Sequence, residues 1–165
     1  MAIAVRGASA ARLALPVVAV AALAVESELR IPVGLPGHRG LLWLSVLVAV
    51  ALIARPRGTA TAVGAASSLV AIGLGTDPTT ALRYAAAAVL LDAALSVPAV
   101  RRHPVLLALV AAPVHLVALA TTVLHGTGVA TLGDKALFHL GFGLVAGITG
   151  WGLWKLTAGR RKTDL

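Results

Sequence analysis

Six apolar segments separated by short polar or charged stretches make up most of the chain. They run for roughly 14 to 21 residues, close to the length at which a helix crosses about 30 Å of hydrocarbon. They lack the alternation of apolar and polar residues expected of a membrane barrel. A helix satisfies its own backbone hydrogen bonds in lipid, so helices are predicted. The predicted spans are residues 13–29, 41–54, 59–75, 80–97, 105–124 and 136–156.

Proline, glycine and arginine mark the breaks between the spans. Residues 31–40 hold two prolines and three glycines, which exclude a regular helix there. The first segment could also be a signal peptide, but Glu26, Glu28 and Arg30 follow it instead of a clear cleavage site. We predict an all-α membrane protein that forms a single compact bundle. Residues 1–158 would form its six-helix transmembrane domain and residues 159–165 a basic cytoplasmic tail.

The positions of lysine and arginine orient the predicted bundle. Segments on one side carry ten of them and segments on the other side four, and the richer side is expected in the cytoplasm. Both termini are therefore predicted to be cytoplasmic. The ten are Arg6, Arg12, Arg55, Arg57, Arg101, Arg102, Lys155, Arg160, Arg161 and Lys162, and the four are Arg30, Arg39, Arg83 and Lys135.

Composition agrees with a membrane protein. Of the 165 residues, 59% are hydrophobic and 12% charged, whereas a soluble domain has about a quarter charged. The net charge of +8 follows from the basic cytoplasmic segments, so lipid rather than nucleic acid is the expected partner. The excess of arginine over lysine, with much alanine and glycine, is typical of a GC-rich bacterial genome, so a bacterial plasma membrane is predicted.

The chain carries no signature of an enzyme. It has no cysteine, which excludes disulfides, thiolate metal sites and cysteine nucleophiles. It also lacks HExxH, GxSxG and paired-carboxylate motifs.

The predicted outer side mixes acids, bases and imidazoles, which favours a polar cavity that opens outwards. His115 lies near the middle of the fifth span, where an ionisable group normally faces the bundle interior; the alternative is a neutral imidazole bonded to a backbone carbonyl. Asp92 is expected to pair with an inner arginine or to mark an ion path. Outer charges could also be mere solvated anchors. The candidate substrate-binding residues are Glu26, Arg30, His38, Arg39, Trp43, Ser67, His115, His125, Lys135 and His139.

Small residues mark faces where helices could approach closely. The last span has Gly143 with Gly147, four residues apart. In the first span, Ala14 and Ala22 belong to a thin face that would contact either a partner subunit or a neighbouring helix.

The number of spans, the cytoplasmic termini and the Pro/Gly-rich outer loop resemble the substrate-binding S components of energy-coupling factor (ECF) vitamin importers. The similar stretches are residues 31–40, 58–75 and 138–150. The resemblance implies a small, vitamin-like substrate in an outward pocket, capped by Arg30, His38 and Arg39. It also implies that Ala14 and Ala22 dock on a transmembrane coupling subunit driven by ATPases. The compact first loop departs from the family and argues against a bulky substrate.

Two other classes of function are open. An importer subunit of this kind needs no cofactor. The second class is a haem or divalent-metal protein, which would use the outer histidines His38, His125 and His139, since imidazole suits these metals. A haem shared by His115 and His139 is disfavoured by depth: at 1.5 Å per residue they lie roughly 13 and 5 Å below the outer surface. The third interpretation is a non-catalytic accessory subunit.

Overall fold

The computed structural model describes residues 2–28, 35–54, 57–124, 126 and 129–163. These ranges are helical and contain no strand, which confirms the predicted all-α class. Each of the six predicted segments contains helix. The helices are α1 (Ala2–Glu28), α2 (Gly40–Ile53), α3 (Thr59–Gly73), α4 (Pro78–Ser96), α5 (Pro98–Arg102), α6 (Val105–Val114), α7 (Ala120–Leu124) and α8 (Leu132–Thr163), with 3-10 turns at His115–Leu119 and Val129–Thr131.

Local sequence explains where the helices start and stop. At the start of α4, the Asp77 carboxylate accepts a hydrogen bond of 2.9 Å from the Thr80 backbone N–H, and Pro78 takes the first helical position. Pro98 ends α4 and starts α5. Pro113 lies in the last turn of α6, where it removes the hydrogen bond to the Leu109 carbonyl, and the fifth segment continues from His115 as a 3-10 turn.

Helix α2 is the centre of the bundle. Nine of its 14 residues are buried, and it packs against α1, α3, α4, α6 and α8. A helix that is apolar all round belongs in such a position. At 1.5 Å per residue α2 is only about 21 Å long, which leaves room at its N-terminal end.

The small residues of α8 hold it against two helices. A side-chain carbon on Gly147 would lie 2.1 Å from the Ala108 carbonyl oxygen of α6. On the neighbouring face, a side-chain carbon on Gly150 would lie 2.7 Å from the Ser45 carbonyl oxygen of α2. The close approach predicted for Gly143 and Gly147 is therefore made within the bundle, against α6.

Asp92 links α3 to α4. Its carboxylate accepts hydrogen bonds from the Thr61 backbone N–H (2.8 Å) and hydroxyl (2.7 Å), in the first turn of α3. Asp92 therefore binds the start of α3 through Thr61, because the N-terminus of a helix offers unsatisfied N–H groups to an anion.

The outer surface of the bundle is strongly apolar. Among the described residues, 23 large apolar side chains are exposed, more than the number buried. The segments Val105–Leu124 and Leu132–Ala158 are long and apolar enough to cross a membrane. In an apolar 18-residue stretch of each, only 35% and 28% of the residues are buried. A core helix of a soluble protein would be mostly buried, whereas these two segments are mostly exposed.

Candidate functional site

A small polar cavity lies at the end of the bundle where α2 begins. Successive segments run antiparallel. The loop that follows α1 therefore lies near the starts of α2, α4 and α8 and near the 3-10 turn of the fifth segment. The cavity has a volume of about 180 Å³, and we call it the histidine pocket. It is lined by Leu35, Gly37, His38, Arg39, Gly40, Trp43, Arg83, His115, Ala118 and His139.

Two imidazoles form the floor of the histidine pocket. The ring centroids of His115 and His139 lie 4.7 Å apart, edge to face. The Nδ1 atom of His115 lies 2.8 Å from the His139 carbonyl oxygen. A carbonyl oxygen only accepts, so Nδ1 carries the proton and, in the neutral ring, Nε2 is left as an acceptor. His115 therefore makes the expected bond to a backbone carbonyl and also lines the cavity.

The predicted separation in depth between these two histidines was wrong. Helix α8 starts at Leu132, four residues before the predicted boundary. His139 therefore lies seven residues into its helix, or roughly 10 Å at 1.5 Å per residue, close to the depth expected for His115.

The loop before α2 lies directly on the two imidazoles. A side-chain carbon on Gly40 would lie 1.6 Å from His115 Nε2, and one on Gly37 would lie 2.9 Å from His139 Nδ1. Gly37 also has φ +84°, a conformation that favours glycine. Glycine at both positions lets the backbone cover the histidines and places His38 and Arg39 at the rim.

A chain of contacts connects the pocket to α1 and α4. Trp43 is buried, with its ring edge to face with Tyr84 (5.7 Å) and His115 (5.5 Å). The Arg83 guanidinium lies over the Tyr84 ring at 4.9 Å, and its Nη2 donates to the Tyr84 hydroxyl at 2.9 Å. That hydroxyl donates to the buried Glu26 carboxylate at 3.0 Å.

Three buried polar atoms of the pocket residues have no hydrogen-bond partner within the described part of the chain. They are Arg83 Nε, His115 Nε2 and His139 Nδ1. Buried polar atoms are nearly always paired, so each unpaired one requires an explanation. All three residues line the same cavity, although these particular atoms are covered by neighbouring groups.

The structure places the predicted substrate-binding residues in four groups. His38, Arg39, Trp43, His115 and His139 line the histidine pocket. Glu26 lies behind it and contacts Tyr84. Ser67 is buried in α3, and Lys135 is half-buried in the first turn of α8; neither lines the cavity. Arg30 and His125 lie outside the described residues.

Sequence reasoning missed the role of Arg83 and Tyr84. Arg83 was counted only as an outer charge, and Tyr84 carried no motif. The available signal was that Tyr84 is the only tyrosine in the chain and lies inside a predicted span, where a buried hydroxyl needs a hydrogen-bond partner.

Of the predicted metal ligands, His38 and His139 line the histidine pocket, and His125 lies outside the described residues. Among the described residues, no group of three or more histidine or acidic side chains comes together. Two histidines and His38 at the rim share the pocket with two guanidinium groups, which repel a cation.

The predicted docking face on α1 is open. Ala14 and Ala22 are exposed, and exposed Val18 lies midway between them. The opposite face of α1 carries the buried Ala19 and Leu23. Within the described bundle, the two alanines are therefore not buried against a neighbouring helix.

Comparisons of the chain with models of known protein families, with curated proteins and with solved structures found no match.

Proposed function

We propose that this chain is a multi-pass membrane protein of the bacterial plasma membrane that binds a small solute in the histidine pocket. In this proposal it is the substrate-binding subunit of an importer, with the pocket on the outer side and both termini in the cytoplasm. The observation that carries the proposal is the cluster of unpaired buried polar atoms around a cavity at one end of an apolar bundle.

The outer surface supports the membrane part of the proposal. Monomeric soluble proteins rarely expose large contiguous apolar patches, whereas here exposed valine and leucine side chains occur on α1, α3, α4, α6 and α8. The lysine and arginine asymmetry supports six crossings with the pocket end outside.

The size of the cavity limits the solute. Pockets for drug-sized ligands measure about 300–1,000 Å³, and this one has about 180 Å³. The proposed solute is therefore smaller than most vitamins.

A partner would have to supply the energy. The chain has no phosphate-binding loop of the GxxxxGK[ST] type, so import would depend on a transmembrane coupling subunit with ATPases. The exposed alanines of α1 are the surface proposed for that subunit.

The test is native mass spectrometry of protein extracted gently from its membrane. Wild-type protein should carry a copurified small molecule, and Gly40→Ala should lose it, because the new methyl group collides with His115. The matched control is Gly133→Ala, near the start of α8, where an added methyl group meets nothing within 4 Å. A ligand retained equally in both variants would contradict binding in the histidine pocket.

A further inference from the structure

Helix α8 extends beyond α2 at the end of the bundle opposite the histidine pocket. Both helices begin at the pocket end, and further along α8 Gly150 meets Val48 of α2. Five residues later α2 ends at Ile53, where α8 has reached Lys155. Helix α8 continues to Thr163, eight residues further or roughly 12 Å at 1.5 Å per residue.

The stretch of α8 that leads into this extension is aromatic and apolar. Trp151 and Trp154 are half-buried, and Leu153 and Leu156 are 44% and 68% exposed. Tryptophan is enriched where a membrane meets water, because its ring is largely apolar but carries one N–H donor. In the proposed membrane placement, this stretch lies at the cytoplasmic interface between hydrocarbon and headgroups.

Trp151 and Lys155 continue the face of α8 that packs on α6. Residues four apart lie on one face of a helix, and Gly147, four residues before Trp151, meets the Ala108 carbonyl of α6. Since α6 runs in the opposite direction, this face of α8 reaches the start of α6 at Trp151. The Lys155 Nζ atom lies 4.3 Å from the centre of the Trp151 ring, a cation–π contact that holds the ammonium group there.

Two arginines lie beside the same corner. Arg101 and Arg102 end the short helix α5, and two residues separate them from the start of α6. Both are exposed, as is Lys155. We call Arg101, Arg102, Trp151 and Lys155 the basic patch.

The acidic residues that the structure describes lie elsewhere or are already bound. Asp92, in the second half of α4, accepts two hydrogen bonds from Thr61 at the start of α3. The others lie at the pocket end of the bundle, namely Glu26, Glu28, Asp77 and Asp134. The basic patch therefore attracts an anion from outside the described chain.

We infer that the basic patch binds the headgroup of an anionic phospholipid in the cytoplasmic leaflet. Its phosphate would lie on Arg101, Arg102 and Lys155, because guanidinium groups bind phosphate oxygens through paired N–H donors. The acyl chains would cover the exposed Leu153 and Leu156, an apolar surface that a soluble anion or an acidic protein would leave bare. The inference rests on the membrane placement in the proposed function and not on the histidine pocket.

Native mass spectrometry of the purified chain in detergent tests this site. The probes are phosphatidylglycerol and phosphatidylcholine with the same acyl chains. Phosphatidylcholine has a phosphate too, but its trimethylammonium group cancels the charge. Phosphatidylglycerol should bind at least about tenfold more tightly, since each lysine or arginine near an anionic lipid contributes about fivefold.

Three variants of exposed residues separate the patch from general positive charge. Arg101→Gln and Lys155→Gln should each weaken phosphatidylglycerol binding about fivefold and leave phosphatidylcholine binding unchanged. Arg57→Gln is the matched control. It removes the same charge from the same predicted side, but it lies just before α3, which packs on α1, α2 and α4, and it should change neither affinity.

Several results would overturn the inference. Equal binding of the two lipids would remove the anionic headgroup, and equal weakening by Arg57→Gln would show diffuse attraction instead of a site. Displacement of the lipid by an equal concentration of glycerol 3-phosphate would assign the patch to a soluble anion, and displacement by polyglutamate would assign it to an acidic protein. If a solute still copurified with the wild type and was lost from Gly40→Ala, the proposed function would stand without this inference.

Discussion

At the scale of single residues, the histidine pocket depends on side chains that are each held in place by a hydrogen bond to a neighbouring group. His115 is the clearest case: Nδ1 is fixed by a backbone carbonyl, and Nε2 lies buried against Gly40 without a hydrogen-bond partner among the described residues. Arg83 follows the same arrangement, with Nη2 bonded to the Tyr84 hydroxyl and Nε unpaired. Such fixed side chains present a preorganised surface, which lowers the entropy cost of binding.

Tyr84→Phe tests the network behind the pocket. The change removes the hydroxyl that donates to Glu26 and accepts from Arg83, so a buried carboxylate loses a partner. We expect the free energy of unfolding to fall by about 1–3 kcal/mol, measured by denaturation in detergent. Thr149→Val is the control: the exposed Thr149 bonds only within its own helix, and its loss should cost less than about 0.5 kcal/mol. Equal stability of the two variants would contradict the importance of the network.

The sequence was most informative for residues whose chemistry is unusual in an apolar segment. His115 stood out because imidazoles are rare at such depth, and His139 as one of the imidazoles of the predicted outer side; both line the pocket. Trp43 was also among the candidates, but Tyr84 was not, since aromatic residues in helices are usually core. Their edge-to-face contacts depend on the packing of α2 against α4, which no local pattern specifies.

At the scale of helices, α8 is the element that ties the bundle together. One small-residue face meets α6 and the next meets α2. The spacing of glycines predicted this close approach, because the interval of four residues places them on one face. The early start of α8 was not predictable from hydropathy, since residues 132–135 include Asp134 and Lys135.

Two glycine substitutions in α8 should change stability in opposite directions. Gly147→Ala places a methyl group 2.1 Å from a carbonyl oxygen of α6 and should destabilise the bundle by about 1–3 kcal/mol. At Gly152 nothing lies within 4 Å, so Gly152→Ala should stabilise the helix by up to about 1 kcal/mol. Thermal unfolding in detergent measures both. A stable Gly147→Ala would show that α6 and α8 are further apart.

Helix α1 is the element on which a coupling subunit would act. Ala22→Trp should leave ligand binding intact, because Ala22 is exposed, yet block cellular uptake of the copurified solute. Ala19→Trp, on the buried face, should instead impair folding and binding together. Unchanged uptake in Ala22→Trp would count against this face as the docking surface.

At the scale of the whole molecule, a short central helix and an apolar exterior define the architecture. Helix α2 is surrounded by its neighbours and begins at Gly40, directly after the loop that bears Gly37. The space above its N-terminus is the histidine pocket. The account therefore joins two claims: the apolar exterior lies in a membrane, and the pocket opens on the outer side.

Cysteine labelling in intact cells tests both claims directly, since the chain has no cysteine of its own. Leu35→Cys, at the exposed rim of the pocket, should react with a membrane-impermeant thiol reagent. Arg57→Cys and Arg101→Cys, both exposed and predicted to be cytoplasmic, should react only after the cells are permeabilised. Labelling of Arg57→Cys in intact cells, or of Leu35→Cys only after permeabilisation, would contradict a membrane bundle with an outward pocket.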